Sequence, residues 1–318
     1  MADLFTFGEI LALFLAKDTD SVPTAREFTL QAAGAEANVA IALTRLGLSA
    51  MYQTRVGKDQ LGDVVIAELL SENIDVSRIM RVENYTGAMV RNQGALQPVD
   101  VTYLRSSSAA STMTPQDLMP ADIEESRWLH VTGITAAISQ SARDTVVEAL
   151  KISRASGTRR SFDLNIRRKL WSEARAGEVL REIVHDLDLL FGGVDEYQVL
   201  WGSTDPRTNL RSAEAQGIKS AIMTAGPGLI RVLNNGEYFE LSPPSVTAID
   251  PVGSGDAFVG GTIAGLLSGL NLMEAILQGT QCGAAVAAQI GDWAGLPSGI
   301  GGRRVEKVEE VYADDKRP

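Results

Sequence analysis

The sequence predicts an α/β protein built on a doubly wound, mostly parallel sheet flanked by helices, with a small β-sheet beside it. Three observations carry this. From Trp128 onward, short apolar runs alternate with segments of helical apolar spacing, the pattern of parallel strands joined by crossover helices. Residues 85–105 break that rhythm: polar and apolar residues alternate in two short runs with no helix between them, as in a β-hairpin. Before them, residues 4–70 already run strand, helix, strand, helix, with glycine where elements stop.

Taken in order, residues 4–7 read as a strand ending at Gly8, followed by a polar, irregular stretch at 17–26. Residues 35–46 show helical spacing and stop at Gly47, a natural helix terminator. Residues 50–56 are the next strand and 61–70 the next helix. The alternating runs turn around residues 94–98 and, with the segment near 11–30, form a small β-flap outside the main sheet. Strands follow at 128–131, 160–164, 188–191 and 219–224, with helices at 141–155 and 173–185. Asn234-Asn235-Gly236 is a hairpin turn between strands at 230–233 and 238–241. Residues 257–267 and 273–290 are helices apolar on most faces, which predicts burial. The charged tail, residues 303–318, is expected to fray.

The 318 residues carry 29 basic and 40 acidic side chains, a net charge of −11. That balance argues against a nucleic-acid or anionic-membrane partner, because both need a basic face. An anionic small molecule stays open, since one or two placed cations suffice. Cys282 is the single cysteine, so no internal disulfide forms, and its Ala/Gly-rich helical setting suits a buried, inert thiol. The two histidines, His130 and His185, cannot build a histidine-rich metal site. Asp3 and Glu9 interrupt the apolar start, so no signal peptide is expected, and no apolar run is long enough to span a bilayer. A cytoplasmic location is the expectation.

In an open parallel sheet, ligands bind beyond the carboxyl ends of the strands. The strongest signal there is Asp250-Pro251-Val252-Gly253-Ser254-Gly255-Asp256-Ala257-Phe258. The two glycines let the backbone turn tightly and leave its N–H groups uncovered, and the positive end of the following helix completes an anion site. A carboxylate would repel a phosphate that was merely held there. Asp256 makes sense as the base that takes a proton from a hydroxyl attacking that phosphate. The amides of Gly253, Ser254 and Gly255 would then stabilise the transferring group. A Gly-rich turn with Asp256 capping the helix is the alternative for so short a pattern.

The nine-residue string resembles the second signature of the ribokinase-like (PfkB) sugar kinase family, and other matches fall in that family's order. Gly8-Glu9 follows the first strand. Ala33-Gly34-Ala35-Glu36-Ala37-Asn38-Val39-Ala40 resembles the family's Gly-Gly…Asn-x-Ala helix opening. Val56-Gly57-Lys58-Asp59-Gln60-Leu61-Gly62 resembles its Val-Gly-x-Asp-x-x-Gly loop. The resemblance extends to about Pro297 and implies an α/β kinase domain of residues 1–10, 33–84 and 106–318. Residues 11–32 and 85–105 would be a β-lid over the sugar site. It further implies ATP with Mg²⁺ as donor, a monovalent cation such as K⁺ near the anion hole with Asp250 as a candidate ligand, and a homodimer paired through the lids or a higher homo-oligomer.

Three further strings look like 2-keto-3-deoxygluconate kinases within that family. They are Tyr103-Leu104-Arg105 with its following Ser-Ala run, Leu129-His130-Val131-Thr132-Gly133, and Asp163-Leu164-Asn165-Ile166-Arg167 leading to Leu170-Trp171. A sugar acid carries a carboxylate, which Arg binds in bidentate geometry. Arg105 from the lid and Arg167 from a main-sheet loop would clamp it; otherwise Arg105 is a solvated lid charge and Arg167 a surface ion pair or a phosphate contact. Tyr103 would pack on the sugar, or only on the lid. Gly34 would let backbone approach the sugar, and Asn38 and Thr132 are candidate sugar contacts, or Asn38 only fastens its helix. Glu9 could simply tie down the first strand. Residues 10–14 contain no carboxylate, which favours an acid over a neutral sugar.

On the donor side, Thr224, Gly226 and Gly228 resemble the family's nucleotide loop, one residue shorter than usual. Asn165 and Glu196 are candidates for phosphate and, indirectly, Mg²⁺. Gly193 stands where the family has Asn, Thr280 where many members have Asn near adenine, and Ala33 replaces one of the paired glycines. Alternatives to a sugar-acid kinase are a fructokinase or other neutral-sugar kinase, and a non-catalytic sensor on the same fold.

Overall fold

The computed structural model describes residues 2–94 and 99–297. The strands are β1 (Leu4–Phe7), β2 (Leu11–Ala16), β3 (Phe28–Ala33), β4 (Ala50–Gly57), β5 (Ile79–Val82), β6 (Ala88–Arg91), β7 (Val101–Leu104), β8 (Trp128–Thr132), β9 (Arg159–Asp163), β10 (Leu189–Gly193), β11 (Ser220–Thr224), β12 (Ile230–Asn234) and β13 (Glu237–Leu241). The helices are α1 (Ala35–Arg45), α2 (Gln60–Ser71), α3 (Pro120–Glu124), α4 (Gly133–Ile138), α5 (Gln140–Ser156), α6 (Glu173–Ile183), α7 (Val194–Trp201), α8 (Pro206–Ala215), α9 (Ser254–Leu267) and α10 (Leu272–Ala287).

Nine strands form one sheet in the order β13-β12-β11-β10-β9-β8-β1-β4-β5. Pairing is parallel from β5 to β11, and β12 and β13 close the edge as the antiparallel hairpin expected at Asn235. Side chains alternate across this sheet: Leu4, Trp128 and Leu189 enter one apolar layer, while Phe5, Leu129 and Leu190 enter the other. Burial on both faces explains why strands such as β1 and β10 read as short, mostly apolar runs. Chain order reverses at β1, which lies between β4 and β8, so the crevice beyond the ends of β1, β8, β9 and β10 is where a ligand should bind.

The second sheet has the order β3-β2-β6-β7, and its own small core gathers Leu11, Leu13, Leu15, Ala33 and Met89. The expected turn partly lies outside the described residues, as does the charged tail. Helix α9 is buried almost throughout and packs against α1 and α10. A Cβ at Gly261 would stand 2.9 Å from Cys282 Sγ and from Gly279 Cα, so small residues set that close approach. Helices α3, α4, α7 and α8 and strand β5 are additions to the sequence reading. No helix among the described residues is long and apolar enough to cross a membrane.

Candidate active site

The Gly-rich string forms the entry to α9. Gly253 is the N-cap with φ +79°, and a Cβ there would stand 1.8 Å from the Asp292 carbonyl oxygen, so only glycine fits. Helix α9 begins at Ser254, three residues earlier than expected, because Ser254 Oγ donates to the Pro251 carbonyl at 2.7 Å and closes the turn. A Cβ at Gly255 would meet nothing within 4 Å, which leaves space above the first amides of the helix.

Asp256 lies in the first turn of α9 and is 8% exposed. Asn38 Nδ2, from the first half of α1, donates to its Oδ2 at 2.8 Å. Asn165 Nδ2, from the loop after β9, approaches Oδ1 at 3.5 Å. Burial pushes the Asp256 carboxyl up to about 7; the Asn38 hydrogen bond and the Arg167 charge oppose that, while Asp292 and Glu36 add to it. The group is therefore poised to exchange a proton near neutral pH.

Beyond β9 lies a second acidic group. Burial and the neighbouring Glu196 and Asp256 carboxylates hold Asp163 well above the usual carboxylate range, against Arg167 and Asn165. Asn165 has φ +36°, a left-handed conformation that Asn tolerates, and its Nδ2 also donates to Asp163 Oδ2 at 3.1 Å. Glu196 accepts from the amides of Ile166 at 2.6 Å and Gly193 at 2.7 Å, tying the β9 and β10 loops together. Among the described residues, no three His, Cys, Asp or Glu side chains are grouped to hold a metal by themselves. Arg167 is exposed beside this cluster, and its charge acts on Asp163, Asp256, Glu196 and Asp292.

The small sheet supplies Tyr103 and Arg105. Arg105 is not a lone cation: its Nε donates to Glu9 Oε2 at 2.6 Å and its Nη2 pairs with the same oxygen, with both side chains buried. Ser108 Oγ donates to the other Glu9 oxygen. Glu9 therefore anchors the segment after β7 as well as the end of β1. Arg105 also lies 5.3 Å from the centre of the half-buried Tyr103 ring. Gly34 precedes α1, and a Cβ there would stand 2.6 Å from the Glu9 carbonyl oxygen, so its small size is required by packing against the β1 end. Thr132 caps α4, accepting from the Ile134 amide at 3.1 Å and donating to Glu36 Oε1 at 2.7 Å.

Glu36, in the first turn of α1, is fully buried. It takes hydroxyl bonds from Thr132 and Thr135 through Oε1, while its Oε2 and the nearby Asn38 Oδ1 are buried polar atoms without a partner. Burial raises its carboxyl above the ordinary value. On the far side, Thr224 ends β11, and Gly226, with φ +57°, and Gly228 lie on an exposed loop beyond it. Thr280 is buried in α10, its Oγ1 bonded to the Leu277 carbonyl.

Asp250 departs from expectation. Its carboxylate does not face an open cation site: Arg91 Nη2 donates to Oδ2 at 2.8 Å, the Gly291 amide to Oδ2 at 3.0 Å and the Val252 amide to Oδ1 at 3.2 Å. A monovalent cation does not fit where a guanidinium already lies.

The whole chain can be set beside known proteins. It is 33% identical over 309 residues to the 2-dehydro-3-deoxygluconokinase of Bacillus subtilis (strain 168), covering 93% of each. It is 29% identical over 308 residues to the probable fructokinase-7 of Arabidopsis thaliana, covering 92% of this chain and 89% of that one. The crystal structure of 2-dehydro-3-deoxygluconokinase from Thermotoga maritima is similar with a TM-score of 0.86 at 25% identity, over 92% of this chain and 94% of that one. The pfkB family carbohydrate kinase model matches residues 1–298, and with the ribokinase-like architecture described above the chain belongs to that family of sugar phosphotransferases.

Proposed function

We propose that the chain transfers the γ-phosphoryl group of ATP to the terminal hydroxyl of a sugar acid, with 2-keto-3-deoxygluconate the first candidate. The hydroxyl oxygen bonds to the γ-phosphorus, the bond from that phosphorus to the bridging oxygen breaks, and ADP leaves. The hydroxyl proton passes to Asp256. The amides of Gly253, Ser254 and Gly255 hold the phosphoryl oxygens as charge develops. Asn38 keeps the carboxylate aimed, and Thr224, Gly226 and Gly228 contact the nucleotide.

The observation that carries this reading is the buried Asp256 carboxyl, in the first turn of a helix whose N-cap only glycine can fill. Mg²⁺ fits beside Asp163, Asn165 and Glu196, where burial and neighbouring carboxylates hold the pKa of Asp163 and Glu196 up against the charge of the exposed Arg167, and it favours few protein ligands plus phosphates. When bound it neutralises charge on the donor phosphates. For the acceptor, exposed Arg167 acts electrostatically on Asp256 and is available to a substrate carboxylate. Tyr103 and Arg105 place the small sheet over the sugar as a lid. Two copies would pair through its outer face, where Phe28 of β3 and Leu104 of β7 are exposed.

A neutral-sugar kinase is the second reading, favoured by the Glu9–Arg105 pair, which removes one of the two cations an acid clamp needs. A coupled ADP-release assay over 2-keto-3-deoxygluconate, its galactonate-derived epimer, fructose and ribose separates them. The sugar acids should give the highest kcat/KM, and Arg167→Ala should depress that value for the acids selectively. Preference for fructose, unchanged by Arg167→Ala, would establish the second reading instead.

A further inference from the structure

Arg91 ends strand β6 of the small sheet, and its alternating context gave no hint of a site role. Its side chain is fully buried and reaches into the main domain. Nη2 donates to Asp250 Oδ2 at 2.8 Å and to Asp292 Oδ1 at 2.7 Å, while Nη1 donates to the Asn92 carbonyl at 3.0 Å. The two carboxylates stand at the two walls of the phosphate loop. Asp250 opens the string that leads to Gly253, and the Asp292 carbonyl is the atom against which Gly253 packs. One guanidinium therefore fixes both walls.

Without it, two buried carboxylates would repel each other and any phosphate brought to the loop. An exchangeable monovalent cation could do the same neutralising work. Here the Asp250 oxygens are taken by Arg91, Gly291 and Val252, so such an ion would have to displace a covalently tethered charge. Tethering also means that the charge is held without binding entropy being lost at each turnover.

We propose that Arg91 is the resident cation of the phosphate loop, a positioning residue that makes turnover independent of exchangeable monovalent cations. The inference rests on the reading that the Gly253–Asp256 loop cradles the phosphoryl group during its transfer to the acceptor hydroxyl. It also joins the small sheet to the donor site, since the strand that carries Arg91 belongs to the sheet that carries Tyr103.

Two measurements test it. Turnover of the unmodified enzyme is compared in K⁺, Na⁺ and tetramethylammonium at constant ionic strength, where differences within about twofold are expected from surface screening alone. Arg91→Ala and Arg91→Lys are then assayed with circular dichroism as the folding control. Arg91→Ala should lose about a hundredfold in kcat, the scale of removing one preorganised electrostatic contact, and added guanidinium should restore about tenfold of that. Arg91→Lys should fall between. Activation of the unmodified enzyme by K⁺ of about tenfold or more over tetramethylammonium would overturn the proposal. So would a folded Arg91→Ala with near-normal kcat, or one that guanidinium does not help. If Arg91→Ala does not fold, the cation comparison decides alone. Asp256→Asn separates this from the underlying reading: its retained activity would sink the assignment of the loop itself, whatever Arg91 does.

Discussion

Asn38 Nδ2 lies 2.8 Å from Asp256 Oδ2, across 218 residues of sequence. That bond joins α1 to α9 and favours the ionised carboxylate. Replacing Asn38 with Ala should raise the Asp256 pKa further. The acid limb of kcat/KM against pH should move to higher pH, and kcat at neutral pH should fall by about 10- to 100-fold. A limb that stays in place would mean that Asn38 holds the substrate rather than the base.

Asp256 also predicts a sign for stability. Burial pushes its carboxyl from an ordinary value of 3.8 up to about 7, so between those values the folded state binds more protons than the unfolded one. Stability contributed by this group is present below the unfolded value and is lost as pH rises through about 7. Asp256→Asn, which cannot ionise, should therefore be more stable than the parent at pH 8, by about 1–4 kcal/mol, and closer to it at pH 4. Urea midpoints at the two pH values check the direction.

Gly253 and Gly255 should respond differently to Ala. At Gly253 the added methyl meets the Asp292 carbonyl and φ is +79°, so both the fold and the loop must shift. A stability loss of about 1–3 kcal/mol and a kcat loss of about a hundredfold or more are expected. At Gly255 the methyl meets no protein atom within 4 Å. Its melting temperature should be unchanged, so any loss of turnover reports crowding of the phosphoryl group itself. Paired melting and kinetic measurements on both variants give the contrast.

Much of this was legible beforehand, and the missing parts share a cause. Asp256 and its glycines form one local string whose chemistry can be read without neighbours. The sheet was legible because several of its parallel strands, such as β1 and β10, are short, buried and mostly apolar. Helices α7 and α8 were overlooked although Asp205 and Pro206 mark the start of the latter, because only Tyr197, Leu200, Asn209, Leu210 and Ala213 are buried on them. Arg91, Glu9 and Glu36 act through partners far along the chain: Asp250 and Asp292 lie 159 and 201 residues from Arg91. A polar residue in an alternating strand reads as solvent-facing until the fold places two carboxylates behind it. The same blindness made Arg105 look like an open clamp when Glu9 already holds it.

That pair gives a further prediction. Glu9→Gln leaves the Arg105 charge buried without its partner and should destabilise the fold by about 3–5 kcal/mol. The double variant Glu9→Gln/Arg105→Met should recover much of that loss. A thermal denaturation cycle over the two singles and the double measures the coupling, and additive losses would show that the pair contributes nothing as a pair.

The account depends most on Asp256 as the proton acceptor. The direct measurement is single-turnover phosphoryl transfer by Asp256→Asn at pH 8 with saturating ATP and the best acceptor from the panel, on protein whose circular dichroism matches the parent. A fall of about 10²- to 10⁴-fold in the chemical step, with ATP binding retained, is the predicted result. Transfer at close to the parent rate would contradict it.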